Sequence, residues 1–404
     1  MASCAASSAT LAMARSGANC SASTASQSGN ASWPRTLVPP LRPRRSRRGG
    51  AGGPQATRLQ ATAHHIPSRL VGTGSSVPQQ TLTNRDLEKL VETSDDWISS
   101  RTGIRERRVM TPGQNLTEFA TEASRRALEM AGVVPEEVDL ILLATSSPDD
   151  SFGGACLVQG ALGATNAAAF DVTAACSGFV VGMITAHNYI QSGQFKTVLV
   201  IGADAMSRLV DWTDRNTCIL FGDGAGAAVL QAGEENASVD GKKVGVLGYK
   251  LRSRGADNGK LTTCYMSGEL QSASTASEGA FKIGQGAYES LHMNGSEVFK
   301  FAVRAVPEIL TAAAENAGVE MADVDHFVLH QANQRILDAA SDRLGVDKDK
   351  VASNLARYGN TSAASIPLAL DETVRAGKVQ PGHLIGMAGF GAGLTWGGVF
   401  VRWG

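Results

Sequence analysis

The chain has 404 residues, 43% hydrophobic and 19% charged, which is enough to bury a large core and excludes general disorder. No apolar run reaches the roughly 18 residues of a membrane helix, and six Cys are too few for a disulfide scaffold. The formal charge of −1 divides into +8 over residues 1–60 and −9 over the remainder, a body too acidic to make an electrostatic case for nucleic acid.

Residues 1–60 hold ten Ser, twelve Ala and eight Arg, including the run from Arg42 to Arg48, and the first acidic residue of the chain is Asp86. Such a segment cannot bury a core, and it lacks the uninterrupted apolar stretch of a secretory signal. Its composition predicts an organelle transit peptide, and its Ser and Ala content points to the chloroplast. The bland alternative is a disordered basic tail.

From Leu70 onward, strands and helices alternate. A helix is predicted over Leu116–Ala131, with Phe119, Ala123, Ala127 and Met130 on one face. A short apolar strand follows at 138–144 and another at 167–172. A helix covers 177–191, and strands cover 198–202 and 225–231. This order predicts a mostly parallel sheet covered by helices. Residues 233–289 are rich in Gly, Ser, Lys and Asn and read as loops and edge structure. A strand at 327–329 then ends at His330, before a helix with Ile336, Leu337, Ala340 and Leu344 at helical spacing.

The second half repeats the first. Ala131-Gly132 and Val138-Asp139 recur 186 residues later as Ala317-Gly318 and Val324-Asp325. Leu162-Gly163 recurs 182 residues later as Leu344-Gly345, and 198–202 aligns with 383–387. Four matches in order at nearly constant offset predict a duplicated unit, with halves over 66–235 and 236–404. In that alignment Cys176 falls opposite Asn360, 184 residues later, each at the start of a helix and aimed at a shared pocket.

Three side chains then stand out. Cys176 sits where a strand ends, small residues turn and a helix begins, and a thiol at a helix N-terminus loses its proton more readily. The default reading of a single Cys is structural, and it is kept for Cys4, Cys20, Cys156, Cys218 and Cys264. His330 closes a strand at the carboxyl edge, where α/β sheets place their sites; a capping or satisfied core His is the plainer reading. Asn360 is ordinary helix-cap chemistry, raised only by its place in the repeat. The cluster Gly222, Gly224 and Gly226 looks like a dinucleotide fingerprint, but residues 227–230 read as a returning strand, and the required strand-turn-helix context is missing. Gly389, Gly391 and Gly393 also lie between strands, where bare backbone could offer N–H groups to an oxyanion.

Taken together these motifs resemble the 3-oxoacyl-[acyl-carrier-protein] synthase III family of the thiolase-like superfamily, from about Leu70 to the C-terminus. The matching stretches are Asp95 to Ile98, Arg101 to Arg107, Ala174 to Phe179, Phe221 to Ala227, His330 to Asn333, Gly359 to Ser365 and Gly389 to Gly393. The resemblance implies a thiolase-like α/β fold of duplicated βαβαβ halves, with two five-stranded sheets in five layers, α-β-α-β-α, and a homodimer. It implies a Cys-His-Asn triad on Cys176, His330 and Asn360. It implies the decarboxylative condensation of acetyl-CoA with malonyl-[acyl-carrier protein], which starts type II fatty acid synthesis without metal or cofactor. Trp97 and Arg215 would hold the CoA adenine, Arg101 its phosphates and Asn333 the pantetheine arm. Phe390 and Ala392 would lie at the substrate, with Ala392 backbone at the oxyanion. Gln331, Ala332, Asn333, Gln334 and Arg335 match the carrier-protein contact segment, and Phe152 would line the primer pocket across the dimer interface. Residues 233–289 read as longer than in bacterial relatives. The rivals are a plant polyketide synthase, whose Gly-Phe-Gly-Pro-Gly is here interrupted by Ala392, and a non-catalytic thiolase-like scaffold.

Overall fold

The structure, a computed structural model, describes residues 66–269 and 284–404. The predicted leader lies outside those residues, as does 270–283 within the Gly-rich stretch. The segment Leu140–Ala144 is apolar at every position and buried at every position. Such a strand is covered on both faces. Alternate side chains of β2, as this strand is called here, point to opposite faces. Ile141 and Leu143 pack outward with the helix Leu116–Ala131, while Leu140 and Leu142 pack inward with the helix Gly178–Gln191.

In chain order the first half contains β1 (Ser68–Ser76), α1 (Asp95–Thr102), α2 (Leu116–Ala131), β2, α3 (Gly154–Leu162), β3 (Ala168–Val172), α4 (Gly178–Gln191), β4 (Thr197–Ala205) and β5 (Asp223–Ala232). Its five strands lie in the order β1-β5-β4-β2-β3. The second half contains β6 (Gly245–Ser253), α5 (Gly295–Ala317), β7 (His326–Leu329), α6 (Gln334–Leu344), α7 (Ser365–Arg375), β8 (Leu384–Gly391) and β9 (Thr395–Arg402). Its order is β6-β9-β8-β7. The fifth strand implied by the resemblance shrinks to a single parallel bridge, Phe327 to Val351. The sheets are mixed, not mostly parallel. β2 runs parallel to β3 and β4, and β7 to β8, but β1, β5, β6 and β9 pair antiparallel. Helical crossovers give the parallel pairs; the chain returns directly only in the antiparallel pairs β4–β5 and β8–β9, while β1 and β6 add to β5 and β9 from far away in sequence.

α4 and α7 form the central layer. Phe179, Met183 and Ile190 of the one, with Ile366 and Leu370 of the other, touch Leu140, Val200 and Leu230 of the first sheet and Val328, Met387 and Val401 of the second. α2 and α3 cover the outer face of the first sheet, and α5 and α6 that of the second. The layers are therefore α-β-α-β-α. The glycines at 222–226 belong to this packing, not to a phosphate site. They start β5, and a Cβ on Gly226 would meet Pro367 Cβ at 2.7 Å and Leu368 N at 2.8 Å.

The duplication is visible in the backbone. α2 and α5 both end on a left-handed Gly, Gly132 (φ 64°) and Gly318 (φ 65°). In each half an Asp then receives a backbone N–H from the neighbouring strand, Asp139 from Thr197 (2.9 Å) and Asp325 from Leu384 (2.7 Å). The register corrects the sequence alignment at two places. Leu140 pairs with Val198 as His326 pairs with Ile385, so Val198 corresponds to Ile385 and not His383. The turn Ala175–Ser177 before α4 corresponds to Ser362–Ala364 before α7, each opened by a residue of positive φ, Ala175 (45°) and Ser362 (50°). Cys176 therefore corresponds to Ala363, and Asn360 lies three residues upstream of that position.

The edge strand β6 was expected only as loops and edge structure. Its burial fades along its length, and it carries Lys250, Arg252 and Ser253 at its exposed end. Such a strand has neither a continuous apolar run nor a clean alternation to reveal it.

Candidate active site

The first half presents Cys176 on a tight elbow. β3 ends at Val172, the backbone turns through Ala175, and α4 follows from Gly178. The end of β8 passes directly over this elbow. A Cβ on Gly391 would lie 2.6 Å from Cys176 N, which excludes a side chain there, and one on Gly389 would crowd Cys176 O at 3.2 Å. Cys176 is buried, and its thiol donates to Ser362 Oγ at 3.4 Å. Burial pushes the thiol up to about 12, with the Asp204 charge adding to the rise and the Ser362 contact opposing it. The helix N-terminus alone was expected to favour the thiolate; desolvation outweighs it.

The second half supplies the other two groups. His330 follows β7, and its N–H donates to Ala388 O at 2.9 Å. Its ring is buried edge-on to Phe390, with centroids 5.1 Å apart. Burial lowers its pKa to about 3, so the imidazole is neutral. Nδ1 lies 2.7 Å from Ser365 Oγ, and that hydroxyl accepts the Gln331 N–H at 3.4 Å. In the tautomer in which Ser365 donates to Nδ1, the imidazole proton sits on Nε2. Asn360 is held by a bridge to Phe221, and its Oδ1 accepts the Ser362 N–H at 2.9 Å. Its amide Nδ2 is the end left for a ligand. Cys176, His330 and Asn360 all line one cavity of about 1510 Å³. Neutral Nε2–H and amide N–H groups facing a common space are suited to stabilising a developing oxyanion.

The cavity also reaches the predicted substrate groups Trp97, Arg101, Asn333, Phe390 and Ala392. Arg101 and Arg215 both stack on Trp97, at 4.6 Å and 5.0 Å from the ring centroid. A base between Trp97 and Arg215 needs about 7 Å, two van der Waals contacts, so Arg215 must swing aside to admit one. Asn333 caps α6 and donates to Arg101 O at 3.1 Å, which ties the two predicted ligand contacts together.

One reading needs correction. Gln331 cannot touch a carrier protein. It is fully buried, its Nε2 donates to Leu329 O and Ala352 O, and its Oε1 accepts the Asn354 N–H. In that segment Arg335 is exposed, Ala332, Asn333 and Gln334 are partly buried, and Gln334 is bonded to Asp338 and Ser353. Phe152 does not line the cavity of its own chain; its neighbour Ser151 does, and Phe152 is 100% exposed.

Sequence reasoning missed Ser362, Ser365 and Asp204. The two serines look like local caps. Asp204 did leave a signal, since it is the one acid in β4, a strand buried at all nine positions.

The 3-oxoacyl-[acyl-carrier-protein (ACP)] synthase III family matches residues 170–255, and its C-terminal family matches residues 314–403. Beta-ketoacyl-[acyl-carrier-protein] synthase III of Synechococcus elongatus is 55% identical over 336 residues, 83% of this chain and 96% of the relative. The chloroplastic form from Arabidopsis thaliana is 51% identical over 344 residues, 84% of each chain. The crystal structure of 3-oxoacyl-[acyl-carrier-protein] synthase III from Aquifex aeolicus superposes with a TM-score of 0.74 at 43% identity, over 83% of this chain and all of the other.

Proposed function

The chain belongs to the 3-oxoacyl-[acyl-carrier-protein] synthase III family, and we propose that Cys176, His330 and Asn360 carry out its reaction. It is a condensing acyltransferase that initiates fatty acid synthesis, joining acetyl-CoA to malonyl-[acyl-carrier protein] to give acetoacetyl-carrier protein, CO2 and CoA. The observation that carries the assignment is the shared cavity, into which the first half brings a thiol and the second half two neutral hydrogen-bond donors.

Cys176 sulfur attacks the acetyl thioester, and CoA leaves. Backbone N–H groups at the elbow and near Ala392 suit the tetrahedral oxyanion, because Gly391 lets the two backbones approach. Malonyl-carrier protein then takes the emptied site. As CO2 leaves, charge collects on the malonyl thioester oxygen, where His330 Nε2–H and the Asn360 amide donate to it. A cationic imidazole is not needed, and burial disfavours one. The enolate carbon attacks the acetyl group and frees Cys176.

Trp97 and Arg101 line the CoA end of the cavity, with Arg215 stacked on the Trp97 ring outside that lining, and Asn333 forms its pantetheine wall. Exposed Arg335 at the rim supplies positive charge for an acidic carrier protein. The exposed Phe152, Leu157 and Phe170 flank the free edge of β3, and an apolar free edge supports a homodimer closed there. The Ser- and Ala-rich residues 1–60, with the chloroplastic relative, support a plastid location.

Purified protein given labelled acetyl-CoA and either malonyl-carrier protein or malonyl-CoA tests the reading. The expected product is acetoacetyl-carrier protein, with label trapped on Cys176 when malonyl is withheld. Preference for malonyl-CoA, or label on another residue, overturns it.

A further inference from the structure

Asn360 can serve an oxyanion only if its amide is aimed, and its own segment offers little to aim it. The residues before it, Leu355–Tyr358, form a single helical turn, and Gly359 follows at φ 63°. One turn fixes many dihedrals for few hydrogen bonds and does not stand alone, so the segment takes its place from what holds it. Two charged side chains do so, from opposite sides. The first is Glu372 on α7. Its Oε1 accepts the Tyr358 hydroxyl at 2.8 Å, and its Oε2 accepts Asn354 Nδ2 at 3.0 Å and Arg357 Nη2 at 2.8 Å. Three side chains leading up to Asn360 therefore converge on one carboxylate. α7 is itself fixed to β1, because the adjoining Asp371 accepts from Thr73 Oγ1 at 2.9 Å and Ser75 Oγ at 2.6 Å. The second is Arg107, which is fully buried. Its guanidinium donates to Leu82 O, to Asn84 Oδ1 and, through Nη2, to Ile219 O at 2.7 Å. The next carbonyl, Leu220 O, accepts the Asn360 N–H at 2.8 Å, and Asn360 O accepts the Gly222 N–H at 3.1 Å. Glycine lets these backbones touch: a Cβ on Gly359 would meet Leu220 O at 2.7 Å, and one on Gly222 would meet Tyr358 O.

We infer that Glu372 and Arg107 are positioning residues that clamp the Asn360 segment from its two sides and aim the Asn360 amide at the malonyl oxygen. This rests on the reading that Asn360 serves decarboxylation. Neither side chain lines the cavity, so each acts on the chemistry through Asn360. The Glu372 side of the clamp also relates the two donors to each other. Ser365, two turns earlier on α7, bonds His330 Nδ1 at 2.7 Å. One helix thus holds the imidazole through its first residue and the amide through Glu372, and a fixed spacing between two donors is what a shared oxyanion needs. The Arg107 side has a wider reach. Asn84, which accepts from Arg107, donates to Asp95 Oδ1 at 2.8 Å at the start of α1, the helix that carries Trp97 and Arg101. A change at Arg107 therefore reaches the CoA end as well, whereas the side-chain bonds of Glu372 run to the Asn360 segment, and Glu372 is the position to test.

A double-mutant cycle on the full chain separates aim from mere stability. Glu372→Ala should slow decarboxylation of malonyl-carrier protein about tenfold, since a misplacement of about 1 Å can cost about 10²-fold, and should leave acetylation from acetyl-CoA at the wild-type rate. In the Asn360→Ala background the backbone pairing stays and the amide is gone, so there Glu372→Ala should slow decarboxylation no further. Equal slowing of both steps, or the same further loss in the Asn360→Ala background, would show a general loosening of the fold and overturn the clamp. A slow Asn360→Ala beside a normal Glu372→Ala overturns the clamp alone. Wild-type decarboxylation by Asn360→Ala sinks the reading of Asn360 and takes the clamp with it. If Glu372→Ala does not fold, Tyr358→Phe, which deletes one hydroxyl bond to Glu372, runs the same cycle with a smaller loss, and no loss in decarboxylation there overturns the clamp.

Discussion

The two elbows of this molecule share a backbone and divide the chemistry. Ala175–Ser177 leads into α4 and Ser362–Ala364 into α7, with φ of 45° and 50° at the opening residues. One elbow carries the thiol. The other carries Ala363 at the matching position, and its polar groups lie at Asn360, Ser362 and Ser365. Duplication therefore supplied a rigid scaffold twice, and substitution at non-equivalent positions produced a nucleophile facing its electrostatic partners.

The largest test of that division is to remove the nucleophile. Cys176→Ser should lower acetyl transfer by roughly 10³-fold or more, since an alkoxide forms far less readily than a thiolate. Wild-type acetylation by the serine variant would erase the asymmetry between the elbows. The next test acts on the other half. Asn360→Ala or His330→Ala should slow decarboxylation and condensation by about 10²–10³, with a smaller loss in acetylation measured separately. Loss of the Asn360 bond to the Ser362 N–H adds about 1 kcal/mol of instability. A variant that melts slightly lower yet decarboxylates normally would reduce Asn360 to a cap.

How far the sequence disclosed this site depended on the kind of residue. Cys176 and His330 were legible because each stands at a strand end before a helix, the place where α/β sheets put their ligands. Asn360 was reached through the repeat, but from an alignment that slipped by three residues. The right loop was found because the slip was smaller than the loop. Ser362 and Ser365 were illegible because a hydroxyl that orients a catalytic group looks, in sequence, like one that caps a helix. Apolar periodicity predicted helices covering a sheet, and the five layers came only with the family resemblance; β6, fully buried only at its first two residues, had no pattern to show. Gln331 was misplaced because a motif match says nothing of which way a side chain faces.

A smaller effect separates His330 from its counterpart in the first half, Ala144, which cannot titrate. His330 has a folded pKa of about 3 against an ordinary 6.5. Below 6.5 the unfolded chain takes up a proton that the folded chain refuses, so this group's stabilisation is complete above 6.5 and is lost as pH falls toward 3. At pH 5 the loss is about 2 kcal/mol. Denaturant titrations at pH 7 and pH 5 should show a fall in stability that is smaller by about that amount in His330→Gln. Equal falls would mean that the imidazole is not held neutral by burial.

The smallest effect reads the elbows against each other directly. A non-glycine residue at positive φ costs about 1 kcal/mol or more, and glycine removes that cost while adding freedom to the unfolded chain. Ala175→Gly changes only this balance and should leave stability equal or higher by up to about 1 kcal/mol. Ser362→Gly makes the same backbone change at φ 50° but also deletes the hydroxyl that accepts from the Cys176 thiol at 3.4 Å. A hydrogen bond contributes about 0.5–1.5 kcal/mol net, so this variant should fall below Ala175→Gly by about that amount. A gap of that size in paired melts would show that the two turns share their strain and differ in one hydroxyl. Equal values would mean that the Ser362 bond contributes nothing to the folded state, and the elbows would then differ only in what they offer the substrate.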